Sequence, residues 1–272
     1  RVVAEVQPMK FAAMEGFFEG SENAPLIAIG LYGKEPEQAR NPIQKDFHFK
    51  IEIPSLLSLM AYHDADAYVI GINDLLYGNK ERNILSYKER IKKGKIAIEA
   101  LARYKKAKES EDQQTAVQAR KVFEENFEHF GYGYYHGRDL NELVPNIPLV
   151  FYSFHFMVIL GFLFLLIFIL ALYYLYKGKL EKHKWFLWLS IIAIPLTYLA
   201  GQMGWIVAEV GRQPWVIQDL MPTIVAVSRV ESSSVQITFW LFAVTFSILL
   251  IAELKIMFRQ IKIGPKEESS TK

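Results

Sequence analysis

The chain has 272 residues, of which 51% are apolar and 14% aromatic, and its formal net charge is +2. A charge this close to zero provides no basic stripe of the kind that binds nucleic acid, so no nucleic-acid partner is expected. The absence of cysteine excludes disulfides, thiolate metal sites and cysteine nucleophiles.

Charge is distributed unevenly along the chain. Residues 1–147 are rich in charged residues, whereas residues 148–261 hold nearly all of the long uncharged stretches. We therefore predict a polar region, 1–147, followed by a membrane region, 148–272. The chain begins RVVAEVQPMK, without an initiator Met, a signal peptide or a small-residue cleavage site, so we expect it to be a fragment of a longer protein.

The polar region contains several predicted elements. Residues 20–47 carry prolines and several glycines and are expected to be irregular. The stretch FHFKIEIPSLLSLMAY, 47–62, predicts a short strand or extended piece that leads into a helix after Pro54. Residues 88–128 mix charged and apolar residues at helical intervals without proline, which predicts one or two surface helices.

Three long apolar segments predict membrane-spanning helices. They are expected at about 148–176, 185–210 and 235–258, and each exceeds the roughly 20 residues that the hydrocarbon core requires. Pro195 lies inside the second span. A kink rather than a break is expected there, because neighbouring helices can satisfy the carbonyl that proline leaves free.

Short basic segments predict the orientation of the spans. KGKLEKHK, 177–184, lies between the first two spans, and RQIKIGPK, 259–266, follows the third. The positive-inside rule places both in the cytoplasm, with the C-terminal tail. Region 1–147 and the loop 211–234 then lie outside. The predicted fold class is therefore a mainly α, polytopic membrane protein with three transmembrane helices and a large extracytoplasmic loop domain.

Glu209 is the first acidic side chain after the long uncharged run of the second span. An ionisable group at the centre of a membrane helix costs roughly 2.5 to 3.5 kcal/mol on insertion scales, so it usually has a partner or a function. Arg212, three residues on, lies on the same side of a helix and can pair with it. A carboxylate that snorkels to the interface or simply pairs with Arg212 is the plainer alternative.

Several motifs resemble subunit I of cytochrome bd quinol oxidases, membrane enzymes that oxidise quinol and reduce dioxygen to water. The most specific is GRQPW, 211–215, preceded by GWIVAE. QPMKFAAMEG (7–16), FKIEIPSLLSLMA and VIGIND are similar to the family's quinol-oxidising loop, FYSFHFMVILGF to the helix after it, and AELKIMF to the last helix. The resemblance covers essentially the whole chain but only the part of the subunit after its first six spans. It implies a bacterial or archaeal cytoplasmic membrane.

The resemblance also implies haem ligands. Glu209 matches an axial ligand of a high-spin haem b beside haem d, and Met157 matches the methionine that binds a low-spin haem b together with an upstream histidine. Arg212 would then stabilise the carboxylate or a haem propionate, and Trp205 would lie close to the haems. A packing methionine and an interfacial tryptophan are the alternatives for Met157 and Trp205.

His155 and the loop histidines of this chain are not expected to bind the haems. His155 is a rival to Met157, but it lies two residues away and points about 200° round the helix, so both cannot face one haem. The family commonly has arginine at the position of His155. The loop histidines show no metal-ligand spacing and are expected at the surface; they are His48, His63, His129 and His136.

Lys10 and Glu15 match loop residues that the family associates with quinol binding and oxidation. A carboxylate there could take a proton as quinol loses electrons. Exposed lysine and glutamate side chains are usually solvated, so two surface residues without a role are the alternative.

The function implied by the resemblance is quinol oxidation at the outer face, electron passage through the low-spin haem b, and dioxygen reduction at the high-spin haem b and haem d. Protons released outside and taken up from inside would generate a proton gradient. Upstream helices, a second oxidase subunit and the lipid membrane are the implied partners. The alternatives are a non-catalytic membrane scaffold or sensor with an outer partner-binding loop, and a transporter with Glu209 on a proton path. Neither alternative requires haem.

Overall fold

The computed structural model describes residues 1–264 and consists mainly of helices. Within these residues the helices are α1 (Val2–Val6), α2 (Pro8–Glu15), α3 (Leu56–Tyr62), α4 (Ile72–Tyr77), α5 (Tyr87–Glu109), α6 (Gln113–Asn126), α7 (Ile147–Tyr176), α8 (Lys184–Val210) and α9 (Ser232–Ile263). The shorter 3-10 segments are Phe127–Tyr135, Leu140–Leu143 and Leu180–Lys182. The strands form two antiparallel pairs: β1 (Leu26–Lys34) with β2 (Asp46–Ile53), and β3 (Trp215–Ile217) with β4 (Met221–Pro222).

The three predicted spans and the fold class are confirmed. Helices α7, α8 and α9 are each long and apolar enough to cross a membrane. Helix α8 continues through Pro195, so the proline does not break it. Helix α9 extends beyond the predicted 235–258 at both ends. The orientation stays a prediction, and residues 265–272 of the predicted cytoplasmic tail lie outside the described residues.

The chain divides into two compact units, Arg1–Ala226 and Val227–Lys272. The second unit contains α9, which has no buried side chain along its described length. The first unit contains the polar region together with α7 and α8, which pack against each other. Region 1–147 is therefore built onto the first two spans rather than folded apart from them.

The helical part of the polar region agrees with the prediction for residues 88–128. Helices α5 and α6 form a hairpin, and each begins at a capped residue. Ser86 accepts a hydrogen bond from the backbone N–H of Glu89 at 3.2 Å, and the Glu89 carboxylate accepts one from the backbone N–H of Ser86 at 2.9 Å. This reciprocal pair satisfies two amides that the first turn of a helix leaves free.

The prediction of irregular structure for residues 20–47 is wrong in part, because Leu26–Lys34 forms β1. Pro25 and Pro36 flank the strand rather than interrupt it, so neither removes a hydrogen bond from its interior. The partner strand β2 and the following α3 agree with the strand and helix expected over 47–62. The prolines of 20–47 therefore mark the ends of the strand and the turn after it, and the apolar residues between the first two prolines pair with β2.

The core of the first unit lies where the loop meets the first span. Ala12 and Ala13 of α2 are fully buried, and α2 packs against α7. The rings of Tyr32, Phe47 and Phe151 meet beside them, with centroids 5.3 to 6.0 Å apart. Aromatic pairs at this separation add to the stability that burial provides. Helix α2 is thereby held close to the membrane region.

Gly94 allows α5 to approach the 3-10 segment Phe127–Tyr135 closely. A Cβ at Gly94 would lie 2.2 Å from the carbonyl oxygen of His129 and 2.4 Å from the backbone nitrogen of Gly133. Because both neighbours are backbone atoms, Gly94→Ala must push the two elements apart. We expect it to destabilise the loop by about 1–3 kcal/mol, seen as a lower midpoint of thermal unfolding and faster proteolysis of the loop.

Gly161→Ala is the control for this substitution, because a Cβ at Gly161 would meet no atom of residues 1–264 within 4 Å. It should change the free energy of unfolding by no more than about 0.5 kcal/mol, as ordinary surface substitutions do, and so leave the midpoint of thermal unfolding nearly unchanged. Equal midpoints for Gly94→Ala and the parent would mean that α5 and the 3-10 segment are not in backbone contact.

Candidate functional site

The first candidate group lies at the C-terminal end of α8. Arg212 Nη2 donates to Glu209 Oε2 at 2.7 Å, so the ion pair expected from their spacing is present. Both side chains are about half-buried. The Nε atom of Arg212 is buried and has no hydrogen-bond partner among residues 1–264. The pair therefore keeps one guanidinium donor free, and only one carboxylate oxygen is engaged by Arg212.

Lys10 of α2 reaches the same group from the other end of the chain. Its Nζ lies 3.5 Å from the carbonyl oxygen of Ala208, and its aliphatic chain lies over Gly211, where a Cβ would be 3.2 Å from Lys10 Cγ. Partial burial lowers the pKa of Lys10, Arg212 lowers it further, and Glu209 opposes both effects. The structure thus brings together residues that the sequence assigned to two separate sites.

Glu15 is placed elsewhere on α2. It is five residues from Lys10, which puts the two side chains about 140° apart round the helix. Only 2% of Glu15 is exposed, and its Oε2 atom is without a hydrogen-bond partner in the described part of the chain. Burial raises the pKa of Glu15 to about 8, opposed by the backbone N–H of Ile27. Glu15 is therefore not the solvated surface residue considered as the alternative.

An open cavity of about 670 Å³ lies just beyond the end of α2, and its lining begins at Gly16, the residue that follows Glu15. Gly16, Phe17 and Phe18 line it from the end of α2, and Ile27 and Phe47 line it from the β1–β2 hairpin. Its rim carries charged and amide side chains, which are Glu19, Lys34, Glu37, Gln38, Gln44, Lys45, Asp46, Lys50 and Glu52. Aromatic walls with a polar rim suit a flat ring that carries polar groups.

Met157 and His155 have different neighbours. Met157 is half-buried and faces α8, where a Cβ at Gly204 would lie 3.1 Å from its sulfur. His155 Nε2 lies 2.7 Å from the carbonyl oxygen of Ile27, and its Nδ1 lies 2.9 Å from that of Phe151. Both imidazole nitrogens of His155 therefore face carbonyl oxygens, and neither is free to bind a metal in this arrangement.

The remaining candidate residues are Trp205 and the loop histidines. The indole of Trp205 is 68% exposed, which leaves it available to lipid or to a cofactor. Of the loop histidines, His48, His63 and His136 are exposed as expected. His129 is half-buried, and burial followed by the charge of Arg90 lowers its pKa.

Sequence reasoning missed a cluster that ties the loop helices to the GRQPW segment. Tyr132 is buried and donates to Asp219 Oδ1 at 2.7 Å, and Arg90 Nη1 donates to the Tyr132 oxygen at 3.4 Å. The Trp215 ring packs 4.8 Å from the Tyr132 ring. Only Trp215 carried a motif signal, since the other three residues occur in segments that resemble ordinary surface helices and turns.

No group of three or more His, Asp and Glu side chains converges on a metal position within residues 1–264. A haem iron needs only one or two axial ligands from protein, and these can come from different helices. The separate positions of Met157 and Glu209 are compatible with that kind of ligation.

Comparison with known proteins gives a consistent family. Residues 1–265 match the family model described as cytochrome bd terminal oxidase subunit I. The chain is 30% identical over 283 residues to cytochrome bd-II ubiquinol oxidase subunit 1 of Escherichia coli (strain K12), covering 98% of this chain and 51% of that protein. It is 27% identical over 267 residues to cytochrome bd ubiquinol oxidase subunit 1 of Bacillus subtilis (strain 168), covering 97% and 44%.

A solved structure shares the fold. The bd oxidase from Geobacillus thermodenitrificans has a TM-score of 0.58 and 23% sequence identity, covering 97% of this chain and 44% of that chain. The chain spans about half the length of the curated relatives it matches.

Proposed function

The chain belongs to the cytochrome bd terminal oxidase subunit I family, and on that premise we propose that it forms part of a haem-containing oxidase of quinol and dioxygen. Residues 1–147 would be the extracytoplasmic quinol-binding region, and residues 148–272 the membrane region. The observation that carries the proposal is the contact of Lys10 with the backbone of Ala208 and Gly211, the residues that precede Glu209 and Arg212. It joins the motif of the quinol loop to the motif of a haem ligand.

On the quinol side, we assign proton acceptance to Glu15 and substrate binding to Lys10. Oxidation of a quinol releases protons, and a general base works best when its pKa lies near the working pH. A carboxyl with a pKa of about 8 meets that condition. The cavity is lined by Gly16 and by Ile27, whose backbone N–H faces this carboxyl, and this supports a quinol ring held close to Glu15.

On the haem side, the donor atoms of this chain fit the proposed ligands. The thioether of Met157 is a soft, neutral donor suited to a low-spin haem b, and its neighbour Gly204 leaves the adjoining face of α8 without a side chain. Glu209 has a carboxylate oxygen that Arg212 does not engage. Arg212 Nε has no hydrogen-bond partner in the described part of the chain and could donate to a propionate, and Trp205 would pack nearby. When bound, low-spin haem b, high-spin haem b and haem d would supply electron transfer and dioxygen reduction.

The remaining parts of the proposal concern the membrane. The lysines of 177–184 support a cytoplasmic position for that loop, which places region 1–147 outside and the C-terminus inside the cytoplasmic membrane. Protons from quinol would then leave on the outside, and protons for water would enter from inside, which generates a proton gradient. Upstream helices and a second subunit would complete the enzyme.

The test is a reduced-minus-oxidised optical spectrum of the full-length subunit in membranes, with Met157→Leu and Met60→Leu. Met60 is an exposed methionine on α3, so its replacement controls for the loss of a thioether. We expect Met157→Leu to remove or shift the low-spin haem b signal while haem d persists, and Met60→Leu to change neither signal.

Two outcomes would count against the proposal. A low-spin haem b signal that Met157→Leu leaves unchanged would overturn the assignment of Met157 as a ligand and make His155 a candidate again. A parent membrane without any haem signal would overturn the oxidase function and favour the scaffold or the transporter.

A further inference from the structure

Two side chains near the start of α7 hold the backbone of β1. The Tyr152 hydroxyl accepts from the backbone N–H of Tyr32 at 2.9 Å and donates to the carbonyl oxygen of the same residue at 3.0 Å. His155, three residues on and on the same face of the helix, has Nε2 2.7 Å from the carbonyl oxygen of Ile27. The strand is thereby attached to the membrane helix at two points, five residues apart along β1.

The attached strand contacts Glu15. The backbone N–H of Ile27 lies close enough to the Glu15 carboxyl to favour its ionised form, and Ile27 itself is buried. The pairing of β1 with β2 is irregular between Ile27 and Ile29. Irregularities of this kind bend a strand locally and re-aim its groups, often beside active sites. The bend places one residue, Ile27, in contact with both His155 and Glu15.

We propose that Tyr152 and His155 are positioning residues for proton transfer from quinol, because they hold β1 over Glu15 and keep water away from its carboxyl. This inference rests on the proposed function of Glu15. Neither residue touches the reacting atoms in this assignment. Their effect passes through the strand, so replacing them should change the ionisation of Glu15 rather than remove the proton acceptor.

The surroundings of Glu15 indicate that Tyr152 and His155 affect its pKa only through the position of β1 and not through their own charge. The elements around it carry Tyr152 and His155 on α7, Tyr32 on β1 and Asp74 on α4. None of these groups shifts the pKa of Glu15, which burial raises and the Ile27 N–H opposes. Loosening β1 would admit water and bring the pKa of Glu15 down toward its ordinary value of 4.5.

The experiment measures the pH dependence of quinol oxidation by the complete oxidase. Because the carboxylate accepts the proton, the parent rate should rise with pH through about 8, the pKa of Glu15. Tyr152→Phe keeps the ring but loses the two hydrogen bonds to β1. We expect the rising limb of its pH–rate profile to lie about one pH unit lower than in the parent. Tyr77→Phe is the matched control, since its hydroxyl donates to the carbonyl oxygen of Arg40 at the loop surface.

His155 provides a second, independent test. His155→Leu removes the donor to Ile27 and should move the limb as Tyr152→Phe does, whereas His155→Gln retains an N–H donor and should restore it at least in part. The haem spectrum of each variant shows whether the oxidase has assembled. If Tyr152→Phe fails to assemble, the comparison of His155→Leu with His155→Gln decides the question.

The outcomes separate this inference from the proposed function. A limb that vanishes in Glu15→Gln but stays at the parent pH in assembled Tyr152→Phe and His155→Leu would overturn the positioning role alone. A rising limb that persists in Glu15→Gln would overturn the role of Glu15 and, with it, the positioning role, whereas the haem spectra still decide the oxidase function. A shift in both variants, absent from Tyr77→Phe and reversed in His155→Gln, is the expected result.

Discussion

Glu15→Gln should lower the rate of quinol oxidation by at least about 100-fold, the lower end of what a positioned general base contributes. Glutamine has nearly the same shape as glutamate but cannot take up the quinol proton. The pH limb near 8 should disappear together with the rate, because that limb reports the ionisation of Glu15. Steady-state oxidation of a soluble quinol between pH 6 and pH 9 measures both effects.

Stability distinguishes this loss of activity from misfolding. The folded-state pKa of Glu15, about 8, is raised above its ordinary value of 4.5. The favourable contribution of the protonated group is therefore fully present below about 4.5 and is lost as pH rises through about 8. Glu15→Gln removes this pH dependence, so the variant should be at least as stable as the parent at pH 8.

Glu5→Gln is the control for the loss of a carboxylate from the same loop. Glu5 is exposed on α1 and pairs with Arg1 four residues earlier. An exposed pair of this kind contributes little, so activity and pH profile should match those of the parent. Parent-like quinol oxidation in an assembled Glu15→Gln oxidase would rule out Glu15 as the proton acceptor.

Glu209→Gln should reduce occupancy of a high-spin haem b site by at least about tenfold, the lower end of the effect when groups supporting a metal site are lost. The change removes the negative charge that would bind the iron. It also leaves Arg212 without its 2.7 Å ion pair, while the Nε atom of that residue is already unpartnered within the described chain. The low-spin haem b signal should persist, because the ligand proposed for it, Met157, lies on another helix. Haem extraction and optical spectra measure the haem occupancy of the variant relative to that of the parent.

Glu142→Gln is the matched control for Glu209→Gln. Glu142 pairs with Arg138 at 3.1 Å, and its side chain is 44% exposed against 43% for Glu209. The two substitutions therefore break ion pairs of similar geometry, and only one of them lies in the GRQPW region. Equal haem content in both variants would show that Glu209 is an interfacial carboxylate paired with Arg212 and nothing more.

The three spans and several helix limits could be predicted from local sequence. An apolar run of about 20 residues commits a segment to the membrane through its own composition, whatever it packs against. One or two surface helices over 88–128 were likewise expected, because periodicity and the absence of proline are local properties, whereas the hairpin that α5 and α6 form was not predicted. The family motifs identified Lys10, Glu15, Met157 and Glu209 as residues to examine, although motif matching left their surroundings open.

Those surroundings were decided by tertiary structure. Glu15 is buried because α7 and β1 close over it, and β1 is a strand because β2, Tyr152 and His155 provide its hydrogen-bond partners. Lys10 meets the end of α8 across 198 positions of sequence. Hydropathy sums over neighbouring residues, whereas desolvation and ion pairing depend on which distant segments come into contact. The sequence by itself therefore determined what crosses the membrane, and only the packed chain decided which carboxylate is shielded from water and which is paired with an arginine.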